Sequence, residues 1–364
     1  MKDIFKFDKL LFFLIFFLSI FGLIMIYSSS SIWALYKFND AFKFFKSQAI
    51  FLFISVIVCI VLSKINTNMY KQNKNLILFG CILLLILVLI PGVGIVRNGS
   101  RSWFGIGSLG IQPSEFSKLG MLIFSACYLS NNKINMHNKA KNVFPLLLII
   151  FLIFGLIMLE PDFGTGMVLV TTNIILLFIS GVELSFFVKI GVVGLLGITG
   201  LIIVAPYRLE RILSFLNPWN DPLGSGFQII QSLYAIGPGG LLGQGFLSSR
   251  QKNFYLPEPQ TDFIFSIISE EFGFLAVLLV SLFFFLIFYR ITKISLKQTD
   301  LFKKYLSFGI GIAILIQFLI NISVVIGLIP VTGITLPFLS YGGSSLLINY
   351  IMIGIVLNIS KNNS

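Results

Sequence analysis

Residues 256–290 read LPEPQTDFIFSIISEEFGFLAVLLVSLFFFLIFYR. From Phe263 the stretch is apolar enough to cross a bilayer, which takes about 20 residues at 1.5 Å each. Yet its first half carries Glu258, Asp262, Glu270 and Glu271. A charge at the centre of a hydrocarbon layer costs on the order of 3 kcal/mol by insertion scales, so such carboxylates pair, line a cavity or mark a function. The proline-flanked approach, Leu256 to Pro259, is stiff and extended. The helix is expected to start at Gln260 or Thr261, with Asp262 in its first turn, where the helix dipole favours an anion. On that helix Asp262, Ser266, Ser269 and Gly273 make one narrow polar stripe. The stripe is a cavity wall or a helix–helix seam, and Asp262 stands at its mouth. Glu270 flanks it about 12 Å further along the axis, and Glu271 points elsewhere.

The rest of the chain repeats the apolar pattern. Of 364 residues, 57% are hydrophobic and 11% charged, far more apolar surface than a soluble core needs. Ten membrane spans are read near 10–29, 45–63, 76–93, 113–129, 144–160, 164–181, 184–205, 263–290, 305–329 and 340–359. The fold class is therefore an all-α polytopic membrane protein of ten transmembrane helices. Residues 1–364 form a single transmembrane domain, with a large external loop, residues 206–262, between helices 7 and 8. No internal repeat of the kind common in secondary transporters is visible. Lys2, Lys6 and Lys9 precede a first span too long for a cleavable signal.

Lysine and arginine are richer on the side of the termini, which puts both termini in the cytoplasm. Basic residues kept on the other side, Arg101, Arg208, Arg211, Arg250 and Lys252 among them, suggest an anionic partner there. Their alternative is ordinary loop solvation.

The three cysteines, Cys59, Cys81 and Cys127, lie in apolar runs and form no disulfide framework, and the one histidine, His137, reads as a loop residue. A serine–histidine or cysteine–histidine nucleophile system and a multi-histidine metal site are thereby excluded. Acid–base work falls to carboxylates, lysines or tyrosines.

Three further segments belong to the loop side. In GSRSWFGIGSLGIQPSEFSKLG (99–120) the glycines predict a non-helical connector, Trp103 beside Arg101 suits the membrane–water interface, and Pro113 opens a helix. Glu115 falls in that helix's first turn, with Lys118 in reach for an ion pair. EPDFGTG (160–166) is a tight turn, and LIPVTGITLPFLSYGGSSLL (328–347) reads as a broken segment that must be buried or line water. Within the long loop FQIIQSLYAI (227–236) fits a short helix, and GPGGLLGQG (237–245) permits close backbone packing but lacks the lysine and hydroxyl of a P-loop.

Taken in order, GSRSW…QPSEFSK, EPDFGTG, YRLERILSFLNPWNDPLGSGFQ, PEPQTDFIF and GITLPFLSYGGSS resemble the SEDS family (shape, elongation, division and sporulation) over roughly residues 10–360. The resemblance implies ten transmembrane helices with a large external loop. It implies a peptidoglycan glycosyltransferase that polymerises lipid II, a disaccharide-pentapeptide on undecaprenyl pyrophosphate. It also implies a class B penicillin-binding protein transpeptidase and other divisome or elongasome membrane proteins as partners, and a site on the outer face of the cytoplasmic (inner) membrane. By the family's motifs the essential aspartate is Asp262, with Arg101, Trp103, Glu115 and Lys118 at the other marked positions. Ser102 stands where the family usually has a second arginine, and Gln260 where it usually has a histidine, so neither of those groups can be indispensable here. The motifs look more like the division branch (FtsW-like) than the elongation branch (RodA-like).

The expected mechanism follows. Asp262 acts as general base on a sugar hydroxyl, while Arg101, Lys118, Arg208, Arg211, Arg250 and Lys252 are candidates to meet the leaving pyrophosphate. A divalent cation (Mg or Mn) could share that task, with Glu258, Asp262 and Glu115 the carboxylates to test. No organic cofactor and no nucleic acid are expected. The competing readings are a lipid II flippase or transporter, for which the buried Glu115, Lys118 and Glu270 would also serve, and a structural anchor, which leaves the charges on the loop side without purpose.

Overall fold

The computed structural model describes residues 7–97, 99–106, 109–131, 140–204, 215–224 and 226–361. These contain twelve α-helices: α1 Lys9–Phe38, α2 Lys43–Leu62, α3 Asn68–Gln72, α4 Lys74–Leu89, α5 Pro113–Leu129, α6 Ala140–Leu159, α7 Phe163–Ile179, α8 Leu184–Val204, α9 Phe227–Ile236, α10 Ile264–Leu296, α11 Leu301–Val325 and α12 Gly343–Ser360. All but α3 and α9 correspond one to one with the ten expected spans. By length and composition six of them are sufficient on their own to cross a membrane, among them α1, α10 and α11. The connector at 95–111 is a three-stranded antiparallel sheet, β1 Ile95–Arg97, β2 Ser100–Ile106 and β3 Leu109–Ile111.

Helix ends follow local chemistry. Asp8, Asp162 and Asp300 cap α1, α7 and α11 by accepting from Leu11 N, Thr165 N and Phe302 N at 3.0, 3.2 and 3.0 Å. Pro113 opens α5. Helix α1 runs well beyond the expected 10–29 because its serines, Ser28, Ser29 and Ser30, are buried, two of them bonding back to the Ile26 carbonyl. Helix α10 is broken at Gly273, whose φ of 72° lies in the left-handed region.

The buried core runs through α5, α11 and α12. Asp8 and Ser360 meet on one side, Asp8 N donating to Ser360 Oγ at 3.1 Å. The β-sheet, the 160–162 turn, the described residues 226–262 of the long loop and the irregular segment 326–342 share the other, the loop side.

The irregular segment shows how non-helical backbone is tolerated in an apolar body. Side-chain amides from neighbouring helices meet its peptide groups, as they must where water is absent. Gln317 donates to Thr335 O at 2.9 Å, Asn321 to Ile334 O at 2.8 Å and Gln48 to Ser340 O at 3.1 Å, while Gly342 N donates to Gln48 Oε1 at 3.2 Å.

Candidate active site

Asp262 does not begin the helix. It precedes Phe263, the N-cap of α10, and no acidic residue lies in the first turn. The approach is not extended as expected: Glu258, between the prolines, takes a φ of 43°, and a turn closed by Thr261 N donating to Glu258 O at 3.0 Å precedes the helix, which therefore starts later than 260. The Asp262 turn is pinned from two sides. Tyr341 N donates to Gln260 O at 2.8 Å and Asn321 Nδ2 to Asp262 O at 2.8 Å. Thr261 Oγ1 donates to Asp262 Oδ1 at 2.9 Å. The aspartate is half-buried, and Glu258 and Arg250 are exposed. The backbone is thus fixed while the carboxylate reaches the loop-side surface.

The polar stripe is a seam. Ser266 Oγ meets Ser232 Oγ of α9 at 2.7 Å, and Ser232 donates on to Val325 O at 2.6 Å. A Cβ on Gly239 would come within 2.2 Å of Ser269 O, so the loop packs on this face through bare glycine backbone.

Below the seam sits a layer of buried charge. Glu270 accepts from the Ser249 hydroxyl and from Arg250 N at 2.8 Å. Glu271 accepts from Ser28 Oγ at 2.7 Å and pairs with Lys252 Nζ at 2.7 Å. Lys252, expected among the cations facing substrate, is buried, its ammonium shared between Glu271 and Ser28. In α5, Lys118 and Glu115 form the expected ion pair at 2.9 Å, both buried, and Lys118 also donates to Gln317 at 2.8 Å. Gln317 and Asn321 lie one turn apart on α11, so the α5 pair and the Asp262 turn hang from adjacent turns of one helix.

A second centre lies at Asp162. Its carboxylate accepts from Gln112 Nε2 at 2.8 Å and Ser114 Oγ at 2.7 Å. Gln112 N in turn donates to Ser344 Oγ at 3.1 Å, and Ser344 donates to Gly110 O at 2.7 Å. Three motifs distant in sequence are joined here. Trp103 lies under Arg97, whose guanidinium is 4.9 Å from the ring centroid, while Arg101, half-buried, reaches Leu89 O at 3.4 Å. Glu160 is fully buried and neither carboxyl oxygen finds a hydrogen bond. Burial, aided by the Asp162 charge, pushes its pKa up to about 9.

Arg208 and Arg211 lie outside the described residues, as does His137. Among the described residues no three histidines, cysteines or carboxylates converge as a metal site. Glu115 is taken by Lys118; Glu258 and Asp262 flank one turn. Sequence reasoning passed over Gln48, Gln317, Asn321 and Ser28. The available signal was an amide or hydroxyl inside an apolar span, with Gln317 and Asn321 at i, i+4.

The family model described as cell cycle protein, FtsW/RodA/SpoVE, matches residues 8–364. Stage V sporulation protein E of Bacillus subtilis is 53% identical over 340 residues, 93% of each chain. A probable peptidoglycan glycosyltransferase FtsW of Trichlorobacter lovleyi is 39% identical over 98% of this chain and 93% of its own. Among solved structures, a chain from work on the structural coordination of polymerization and crosslinking by a peptidoglycan synthase complex superposes with a TM-score of 0.81 at 29% identity, covering 98% of both chains. The rod shape determining protein RodA of Thermus thermophilus superposes with a TM-score of 0.72 at 25% identity over 98% of this chain and 97% of its own.

Proposed function

The chain belongs to the FtsW/RodA/SpoVE family of cell cycle proteins, the SEDS peptidoglycan glycosyltransferases, and from that premise we propose that it polymerises lipid II with Asp262 as general base. The observation that carries this reading is selective exposure. Glu115, Glu270 and Glu271 are fully buried, whereas Asp262 is only half-buried, on a pinned turn of the loop side.

In the reaction an acceptor hydroxyl oxygen bonds to the anomeric carbon of the donor sugar, and the bond from that carbon to the pyrophosphate oxygen breaks. Asp262 takes the hydroxyl proton as the new bond forms. Arg101 and Arg250, with Arg208 and Arg211, meet the charge that grows on the pyrophosphate. Glu115, Lys118 and Lys252 serve the site by holding it together. Glu258 and Asp262 are suited to a hard divalent cation, which binds through one or two carboxylates and completes its shell with water and phosphate oxygens. Such a cation would offset leaving-group charge.

The lysine and arginine asymmetry supports a cytoplasmic-membrane protein with both termini inside and the Asp262 turn outside. Similarity to a chain of a peptidoglycan synthase complex supports a class B penicillin-binding protein as partner. Septal synthesis of the FtsW type is the role favoured by the motifs. The 53% identity to a stage V sporulation protein favours a second reading, wall synthesis during sporulation. Complementation of an FtsW-depleted and of a sporulation-defective strain separates the two.

The activity test is purified protein with lipid II and the cognate transpeptidase. Glycan polymer supports a polymerase; lipid redistribution without polymer would point to a flippase.

A further inference from the structure

Two polar clusters mark the edges of the apolar layer on one helix pair. At one end Asp8, the cap of α1, holds the Arg290 guanidinium of α10. At the other, Ser28 of α1 donates to Glu271 of α10, with Lys252 completing the cluster. The helix from Asp8 to Ser28 is about 30 Å long, and that from Glu271 to Arg290 about 28 Å. Both match the ~30 Å hydrocarbon core of a bilayer. The Glu271 cluster therefore sits at the hydrocarbon edge on the loop side.

The glycine-rich turn of the loop crosses that edge. Where α10 breaks at Gly273, its displaced peptide groups are met by loop backbone. Gln244 N donates to Glu270 O and Gly245 N to Glu271 O, both at 2.9 Å. Phe274 N donates to Gly240 O at 2.8 Å and Leu275 N to Leu241 O at 3.2 Å. Residues 240–241 thus lie beside Phe274 and Leu275, on the hydrocarbon side of Glu271. Only glycine allows this approach: a Cβ on Gly243 would lie 2.2 Å from Glu271 O, and one on Gly273 2.4 Å from Gly243 N. Leu241 and Leu242 are nonetheless 68% and 76% exposed. They continue the exposed apolar stripe of α10 made by Phe274, Leu275, Leu278, Leu279 and Leu282.

We propose that the turn Gly240–Gly245 is a lipid anchor, with Leu241 and Leu242 seated among the acyl chains of the leaflet on the loop side. The carbonyls of Gly240 and Leu241 and the N–H groups of Gln244 and Gly245 are bonded to α10, and Gly243 N to Gly239 O, which lowers the cost of non-helical chain at membrane depth. The occupant is bulk lipid, because the surface is continuous with a membrane-facing helix face and carries no charge. The anchor sets the height above the bilayer of the loop that carries Arg250 and leads to Asp262, so that a substrate with its tail in the leaflet meets them at a fixed depth.

The test is spin labelling of the full chain in phosphatidylglycerol–phosphatidylethanolamine nanodiscs. Leu242→Cys is labelled beside Leu278→Cys as a lipid reference and Tyr36→Cys, about 12 Å beyond Ser28 along α1, as an aqueous one. The native cysteines are buried. The label at 242 is expected to match that at 278, several-fold more accessible to oxygen and several-fold less accessible to a water-soluble nickel chelate than the label at 36. Chelate access equal to that at position 36 overturns the proposal. So does shielding from both reagents, which would show a protein contact, or shielding from the chelate that appears only when the transpeptidase is added. Catalysis is not read, so failure here is distinguishable from failure of the role given to Asp262.

Discussion

At the Asp262 turn, an exposed Glu258 and a half-buried Asp262 stand on backbone held by Tyr341 and Asn321. One layer down, Glu115, Glu270 and Glu271 are buried, each tied to a lysine, a hydroxyl or a peptide N–H. The two regions use the same residue type in opposite ways. Burial makes a carboxylate costly unless its lone pairs are met, and a carboxylate whose partners are internal has little left for a substrate. Fixing the main chain while leaving the side chain at the surface gives a group that is positioned and still reactive. Charge in a membrane span is therefore a poor guide to chemistry until its partners are known.

The sharpest way to break this division is at the α5 pair. Lys118→Met strands a buried Glu115 and is expected to destabilise the protein by about 3–5 kcal/mol. The double variant Glu115→Gln/Lys118→Met should recover most of the loss in thermal unfolding. If Lys118→Met kept its stability and lost polymer synthesis, Lys118 would move to the chemical side of the comparison.

Glu271→Gln comes next, at about 3 kcal/mol, because it leaves the Lys252 ammonium buried without its counter-charge. Proteolysis between 240 and 262 should rise, since the loop loses one of its ties to α10, the Lys252–Glu271 ion pair, and adding Lys252→Met should reverse much of it.

Glu160 sharpens the comparison from the other direction, as a buried carboxyl with no bond to either oxygen. Its pKa is raised from 4.5 to about 9, so the folded protein binds this proton more tightly than the unfolded chain does. Stability from this group is accordingly full below pH 4.5 and falls as pH rises towards 9. Glu160→Gln is expected to stabilise, by on the order of 2 kcal/mol at pH 8 and much less at pH 5. A gain equal at both pH values would show that Glu160 is ionised in the fold.

The smallest effect is at the cap. Asp162→Asn keeps an acceptor for Thr165 N but weakens the bonds from Gln112 and Ser114, for a loss of about 1 kcal/mol. Thermal unfolding checks it.

The apolar runs made the ten spans legible, because membrane helices must be long and apolar to satisfy their own backbone in lipid. The 95–111 sheet appeared only as a glycine-rich connector, since strands of three to seven residues leave almost no periodic signal. Periodicity put Glu270 and Glu271 on different faces, yet the 249–252 stretch of the loop meets both: Ser249 Oγ and Arg250 N donate to Glu270, Ser249 N and Lys252 to Glu271. The same periodicity missed the break at Gly273, which depends on the loop returning to α10, a contact between distant residues. The same limit explains Lys252: its neighbours in sequence are polar loop residues, while its partners Ser28 and Glu271 lie on two other helices. Asp262 was expected inside the helix but precedes its N-cap, Phe263, because residues 258–261 form a turn first. Lys118 and Glu115 were legible as a pair because both sit on one helix.

The division between surface and buried carboxylates is tested most directly by measuring polymer synthesis from lipid II and thermal unfolding together for Asp262→Asn and Glu271→Gln. Asp262→Asn should lose at least about a hundredfold in rate, the usual range for a general base, with an unfolding temperature like that of the parent. Glu271→Gln should lose stability and keep substantial synthesis at temperatures where it remains folded. A folded Asp262→Asn that polymerises at near the parent rate, or a stable Glu271→Gln that does not polymerise at all, would contradict it.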